Sequence, residues 1–360
     1  MKILFLTLYP RHQPSTRFRI YQFLPFLGGE HTYKIQSAVP ERFFKKYYGS
    51  SKRVERIIFH MVEFFFRLFA ILWAWQYDLV ILQKGIATIN YRFFDFLLHA
   101  VQKNIIFDMD DAITIDSVSR LTRFPWNIFD DPAQTFRLSK WARKVFVGNE
   151  RLRKDLLGVT DRVLVIPTPV DTRYYHFDEK RYERSGPIQV IWSGNKSAHY
   201  LLALSSAAIA RLSQKYDIRL TVLSDVHTEN LRTIFGAMPF DFMEWSYENE
   251  KKLFERADIG IMPLTDTLWN RRKCAFKGLL YMANGIPGVS SPVGVVNEFI
   301  EDGKNGFLAD SDAEWYDKLE RLVRDKKLRK SVGLSGHKTL EQKFSLAKWG
   351  PCWNEAIKIG

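Results

Sequence analysis

The sequence predicts an α/β protein built from two doubly wound parallel sheets, one in each half of the chain. Three observations predict it. Short apolar strands alternate with longer amphipathic stretches almost throughout, and continuous apolar strands set between helices read as parallel strands covered on both faces. The chain has 360 residues, which at roughly 150 residues per domain fits two domains better than one. Near the middle, Ile166-Pro167-Thr168-Pro169-Val170-Asp171 and a polar run to residue 186 interrupt the pattern, because proline disfavours helix and stops sheet propagation.

The elements follow in order. In the first half, 2–8, 79–82, 105–107, 144–147 and 163–166 read as strands, and 17–27, 54–75, 93–102 and 150–157 as helices. The apolar opening is too short for a signal-peptide core and reads as a buried strand. The stretch 57–75 is the most membrane-like. It contains His60, Glu63 and Arg67, and ionised groups cost about 2.5–3.5 kcal/mol each at a bilayer centre, so a span is rejected. In the second half, 188–192, 219–223, 240–244, 259–262 and 288–290 read as strands, with helices at 198–214 and 248–256. A further helix is stopped by Gly285 with Pro287 beyond it. The expected domains are 1–167 and 188–344, joined by a linker at 168–187. Ligands of such sheets sit outside the carboxyl ends of the strands, so a cleft between the two domains is the expected active site.

Composition bounds the function. An apolar fraction of 46% with 26% charged residues is ordinary for a globular chain and excludes disorder as the dominant state. Two cysteines, Cys274 and Cys352, make no disulfide framework, and no Cys/His cluster has zinc spacing. A reducing, cytoplasmic setting is expected. The net charge of +13 is uneven: residues 1–167 carry 25 Lys/Arg against 15 Asp/Glu, a net of +10, and the remainder a net of +3. Such a field attracts nucleic acid, anionic lipid or phosphorylated substrates. No helix-turn-helix, RRM or OB pattern supports nucleic acid, which is not an expected partner. The run from Arg42 to Phe69 interleaves Phe and Tyr with Lys and Arg. That suits a surface resting on anionic lipid. It also suits a helix packed on a sheet with Phe64–Phe66 buried.

Two segments of the second half carry phosphate chemistry. The first strand ends Trp192-Ser193-Gly194-Asn195-Lys196. A glycine between strand and helix lets backbone N–H groups approach a phosphate, the helix N-terminus adds partial positive charge, and Lys196 can add a full one. The same residues also make an ordinary turn. Further on, Arg271, Arg272, Lys273 and Lys277 crowd the start of a helix. Cations there oppose the macrodipole, which is understandable if an anion binds, or if the turn is simply solvated.

Here the residues resemble a family. Lys273-Cys274-Ala275-Phe276-Lys277, then Tyr281-Met282-Ala283-Asn284-Gly285-Ile286-Pro287, then Ser291-Pro292-Val293-Gly294 resemble the donor-binding segment of family-4 glycosyltransferases, retaining enzymes of the GT-B fold. Ser15-Thr16-Arg17-Phe18-Arg19 is similar to the family's opening loop and first helix. Phe107-Asp108-Met109-Asp110-Asp111 and Gln83-Lys84 match strand ends, and Ile166–Asp171 resembles the hinge. The resemblance extends over nearly the whole chain. It implies two Rossmann-like domains facing across a cleft, with residues 345–360 forming a helix that crosses back to the first domain. One departure stands out. The family carries two glutamates around the donor helix, and the second receives the ribose hydroxyls. Alignment on Tyr281-Met282-Ala283 puts Arg272 and Leu280 in those places, and neither accepts a hydrogen bond from a hydroxyl.

The resemblance implies a metal-independent hexosyltransferase acting on a nucleotide-diphosphate sugar. Lys273 and Lys277 would stabilise the leaving diphosphate. Asp110 and Asp111 would orient the acceptor hydroxyl, although acids at a strand end also cap helices. Gly194, Asn195, Lys196, Asp225, Trp245, Arg272, Leu279 and Glu298 are the donor-binding candidates. Arg17, Arg19, Lys84 and Asp108 are the acceptor-binding candidates. Asp108-Met109-Asp110 spells an acid pair that could hold Mg²⁺, but it belongs to the acceptor domain, so no metal and no cofactor is expected. The acceptor would be lipid-linked or a saccharide, with the enzyme peripheral at the inner face of the cytoplasmic membrane. Two alternatives stand beside this reading. A sugar-nucleotide epimerase would need an acid or His near the sugar, and His199 is the nearby candidate. A degenerate homologue would bind a nucleotide-sugar or a partner without turnover.

Overall fold

The computed structural model describes residues 1–114, 131 and 133–358. By contact, these divide into two units: Met1–Pro169 together with the chain from Trp349, and Val170–Lys348. Among the described residues, twelve strands form two six-stranded sheets, all parallel.

The first sheet is β1 (Lys2–Thr7), β2 (Thr32–Ser37), β3 (Leu79–Gln83), β4 (Ile105–Met109), β5 (Lys144–Val147) and β6 (Val163–Val165), in the order β2-β1-β3-β4-β5-β6. Strand order reverses between β1 and β3, so the loops leaving these two strands meet at the topological switch point. The core strands are the apolar runs legible in the sequence: all five residues of β3 and of β4 are buried. β2 has no counterpart among the sequence expectations. Its residues Thr-Tyr-Lys-Ile-Gln-Ser are exposed or half-buried, as at a sheet edge, and carry no apolar run. The expected helix at 17–27 is instead α1 (Pro14–Arg19) followed by a 3₁₀ segment, Tyr21–Phe26. Pro25 lies in that segment and cannot donate a ladder hydrogen bond. Two longer helices, α3 (Arg53–Leu72) and α4 (Arg92–Val101), pack on the sheet and on each other, after a short α2 (Glu41–Tyr47). The terminal helix α14 (Leu346–Lys358) sets Trp353, 1% exposed, against Phe5 and Phe23, its ring stacked 5.0 Å from Phe23. Lys144 Nζ and Arg143 donate to the carbonyls of Ala356 and Ile357 in its last turn.

The second sheet is β7 (Ile188–Ser193), β8 (Ile218–Ser224), β9 (Asp241–Glu244), β10 (Ile259–Met262), β11 (Gly288–Ser290) and β12 (Phe307–Leu308), in the order β12-β11-β10-β7-β8-β9. Here the reversal falls between β7 and β10. The expected helix at 198–214 begins as a 3₁₀ segment, Lys196–Leu202, and becomes α-helical at Ala203–Ser213. The run 178–186, expected as linker, holds a 3₁₀ segment, Glu179–Glu183. In it Arg181 is buried and donates to the carbonyls of Asn284, Phe254 and Ala257, while Tyr182 donates to Gly285. These side chains bind the polar run into the second unit, something its composition alone does not reveal.

Candidate functional site

The switch point of the second sheet gathers the phosphate-type residues. β7 ends at Ser193 and turns at Gly194, whose N–H donates 3.0 Å to Leu223 of β8. α10 (Phe276–Ala283) follows β10, and its first turn carries Lys277. The two segments, far apart in sequence, meet: a Cβ built on Gly194 would fall 2.5 Å from Lys277 Nζ and into the Trp192 ring. Glycine is required at 194 by this close approach. Lys277 Nζ sits 4.3 Å over the ring of Trp192, which is itself buried. Burial, and then the neighbouring charge of Lys273, pull the Lys277 ammonium down to about 7. An anion lodged beside it would return the proton.

Around this pair lies a hydrogen-bonded frame. Asp225, just after β8, accepts from the Lys196 N–H at 2.7 Å and from Ser224 Oγ at 3.0 Å. His199 is fully buried and bridges Ser224 Oγ at 2.7 Å and Thr228 Oγ1 at 2.8 Å. Burial lowers its pKa, with Asp225 opposing. The N–H groups of Gly194 and Lys196 are thus given to Leu223 and Asp225. The glycine's own N–H is used within the fold, and its missing side chain leaves room for Lys277 and the Trp192 ring. Asn195 is exposed and accepts from Ser197 Oγ at 2.8 Å.

The approach to α10 is strained. Lys273 follows a 3₁₀ turn, Asn270–Arg272, and Ala275 caps the helix in the left-handed region at φ +49°. A non-glycine residue there costs about 1–3 kcal/mol and marks a segment held by its surroundings. Gly294, at φ +63°, lets the 291–294 loop lie against the Arg271 backbone. Glu298 is exposed on the short helix Val296–Phe299 that follows this loop. Arg272 donates to the Leu268 carbonyl at 3.0 Å. Leu279 and Leu280 are both buried. Leu280, which the sequence resemblance aligns with a ribose-binding glutamate, is therefore an apolar core position. Trp245 is half-buried after β9, with its N–H on Ser224 O at 2.8 Å and its Nε1 on buried Glu250 at 3.0 Å. A separate cavity of about 560 Å³ opens at the other end of this sheet's strands, lined by Ile188, Arg219 and Asp258, and Gly194, Asp225, Lys273 and Lys277 do not line it.

The first unit has its own cluster at the carboxyl ends of β3 and β4. Lys84, at φ +71°, pairs with Asp111 and lies 5.7 Å over the Tyr9 ring. Burial opposes the Lys84 charge, but Asp111, Asp110 and Tyr9 together raise its pKa. Burial pushes the Asp110 carboxyl up to about 6, against the pull of Lys84. Arg17, on α1, is half-buried and stacks 4.1 Å over Phe18. Arg19 and Asp108 differ from the acceptor-facing role expected of them. Both are 1% exposed and they form a two-pronged ion pair, with Arg19 also donating 2.6 Å to Ile166 O. They bond to one another, and Arg19 also donates to the chain just after β6, at Ile166 and Thr168. The acid pair in Asp108-Met109-Asp110 is thereby split, one acid to Arg19 and one to the Lys84 cluster. Among the described residues, no group of three or more His, Cys, Asp or Glu could hold a metal.

Sequence reasoning passed over Trp192 and Ser224. The signal was present: each stands near the carboxyl end of an apolar strand, Trp192 two residues before Gly194 and Ser224 next to Asp225.

Residues 189–325 match the family model described as glycosyl transferases group 1. The matched segment is the second unit's sheet and the site just described, less than half of the chain. No curated protein matches the sequence. Solved structures match in fold over almost the full length. The Anabaena protein Alr3699/HepE in complex with UDP and glucose superposes with a TM-score of 0.72 at 13% identity, covering 99% of each chain. Sucrose-phosphate synthase from Thermosynechococcus elongatus gives 0.70 at 11% identity, covering 99% of this chain and 98% of that one. A glycosyltransferase from Rickettsia africae gives 0.66 at 14%, covering 99% and 97%. The fold is GT-B.

Proposed function

We propose that the chain is a retaining glycosyltransferase that moves a hexose from a nucleotide-diphosphate sugar to a hydroxyl of a glycolipid or polysaccharide precursor. One observation carries the reading. A half-buried lysine with a depressed pKa and a glycine with no room for a Cβ meet at the switch point of a parallel sheet, inside the segment that matches the group 1 model. When the bond from the anomeric carbon to the β-phosphate oxygen breaks, negative charge collects on the diphosphate. Lys277, with Lys273 beside it, would neutralise that charge, an effect worth several kcal/mol in a water-poor site. Two ammonium groups can serve the leaving diphosphate without a metal ion, so transfer is expected to persist in chelator.

The complexes of the Anabaena protein with UDP and with UDP-glucose make a uridine nucleotide the first donor to test. Trp245 and the strand end at Asp225 would border the base. Arg17, Lys84 and Asp111 would hold the acceptor at the carboxyl edge of the first sheet, and Asp110, its carboxyl raised to about 6, would accept or donate a proton near neutrality. A panel of UDP-, GDP- and TDP-sugars, assayed for hydrolysis and for transfer to a lipid extract, tests the reading. One sugar nucleotide should turn over, and Lys273→Ala and Lys277→Ala should each lower kcat by about 10²–10³-fold with the melting temperature kept. If the folded protein binds none of the panel, the reading fails. Buried Leu280 at the ribose-binding place favours a second reading, nucleotide-sugar binding without turnover, and saturable binding with no product in any assay would select it.

A further inference from the structure

α3 buries Phe59, Ala70 and Ile71, yet its mid-helix charges and its outer face are reversed. Its stripe of Val54, Ile58, Met61, Phe65, Phe69 and Leu72, at helical steps of three and four, faces outward with 37–67% of each residue exposed. Its two mid-helix charges face inward and are fully buried. Glu63 accepts from the N–H and the hydroxyl of Thr88, both at 2.7 Å. Arg67 donates to Gln36 O at 3.1 Å and to Thr7 O, at the carboxyl ends of β2 and β1. A surface helix in water shows the reverse arrangement. The neighbouring α4 repeats the inversion: Asp95 is buried against Gln134 and Arg137 while Phe93 and Phe96 are exposed. Rings of Phe65, Phe64, Phe94 and Phe93 run in contact from one helix to the other. Trp73 and Trp75, 53% and 67% exposed, extend the apolar face past the end of α3. Of Phe64–Phe66, expected to be buried, Phe65 is exposed and Phe64 and Phe66 are half-buried.

An apolar face this continuous implies a non-aqueous neighbour, and the charges around it say which. Residues 42–76 carry seven Lys/Arg against two Asp/Glu, and the buried Glu63 and Arg67 account for one of each. Exposed Lys52, Arg53 and Arg56 crowd the first turn of α3, and exposed Arg92 opens α4. Cations beside a Phe/Met/Leu stripe that ends in tryptophans have the make-up of a helix lying in the headgroup plane of an anionic bilayer. Arg67, tied to the sheet backbone, and Glu63, tied to Thr88, hold α3 on the first unit. That geometry supports a helix lying along the surface, although Arg53–Gln76 is long and apolar enough to cross a membrane.

We infer that the outer face of α3, with Phe93 and Phe96 of α4, docks on an anionic phospholipid surface. The location is chemically apt. The first turns of α3 reach the candidate acceptor cluster through packed rings: Phe59 with Phe44, Phe44 with Tyr9, and Tyr9 under Lys84. The docking itself does not depend on the glycosyl-transfer reading, because it is measured without turnover.

The test is flotation of the full chain with phosphatidylcholine vesicles and with vesicles containing phosphatidylglycerol. The protein should float with the anionic vesicles, at least tenfold more than with the neutral ones, and high salt should release it. Phe65→Ser/Phe69→Ser should lose binding at least tenfold, and Lys52→Glu/Arg53→Glu/Arg56→Glu should lose the preference for anionic lipid. Should the serine variant melt early, quenching by brominated lipid reads the same contact. It should dim the wild-type tryptophan emission and dim it less in Trp73→Phe/Trp75→Phe. Failure of the wild type to float overturns the inference, as does binding unaffected by the stripe and charge variants. A wild-type dimer that the serine variant turns into a monomer, with no flotation, overturns it too and makes the face a contact between copies.

Discussion

The lysine at 277 has the least ordinary environment in the second unit. Its ammonium is held down to about 7 by burial and by Lys273. A diphosphate beside it would raise that value, so above pH 7 binding must take up a proton. Nucleotide affinity should therefore be flat below about pH 7 and fall above it, by up to tenfold per pH unit, until the bound-state pKa is reached. Calorimetric titrations across that range check the slope, and Lys277→Arg, always charged, should flatten it. Gly194→Ala tests the same contact from the other side. Its methyl would displace Trp192 and Lys277, a strain of about 1–3 kcal/mol, and nucleotide affinity should fall at least tenfold. The crowd of cations before α10 was legible in the sequence. The meeting of Lys277 with Gly194 was not, because it is made by the pairing of β7 with β10, and pairing order leaves no local mark.

At the scale of elements, polar residues inside apolar runs prove to be fastenings. Arg19 of α1 and Asp108 of β4 read as site residues in the sequence, since charges at strand ends suit ligands. In the fold they close on each other at 1% exposure. Arg19→Met alone should destabilise the first unit by about 3–5 kcal/mol by stranding Asp108, and Asp108→Leu should recover much of that loss in the double variant. Urea melts of the single and double variants decide it. If the single variant keeps full stability and loses only acceptor binding, the pair belongs to the site after all. Glu63 and Arg67 pose the same problem on α3. A spacing of four sets them on one helix face, and nothing in the sequence tells which way that face points. The answer lies in Thr88, Gln36 and Thr7, whose groups complete their hydrogen bonds from other elements.

For the molecule as a whole, the alternation of strands and helices and the central double proline were enough to read two parallel sheets. What they could not supply was the attachment of the chain's two ends to one unit. Trp353 of α14 lies between Phe5 of β1 and Phe23. Trp353→Ala should cost the first unit about 3–5 kcal/mol and leave nucleotide binding by the second unit unchanged, which differential scanning calorimetry with and without nucleotide would show. The central claim is that a sugar nucleotide seats its diphosphate at Lys277 on the second unit. The most direct measurement is calorimetric titration of UDP, GDP and TDP into the wild type and Lys277→Met, a change that keeps the side chain's bulk. Saturable binding of one nucleotide, weakened at least tenfold in the variant at an unchanged melting temperature, is the outcome the account requires. Equal affinity in both proteins would contradict it.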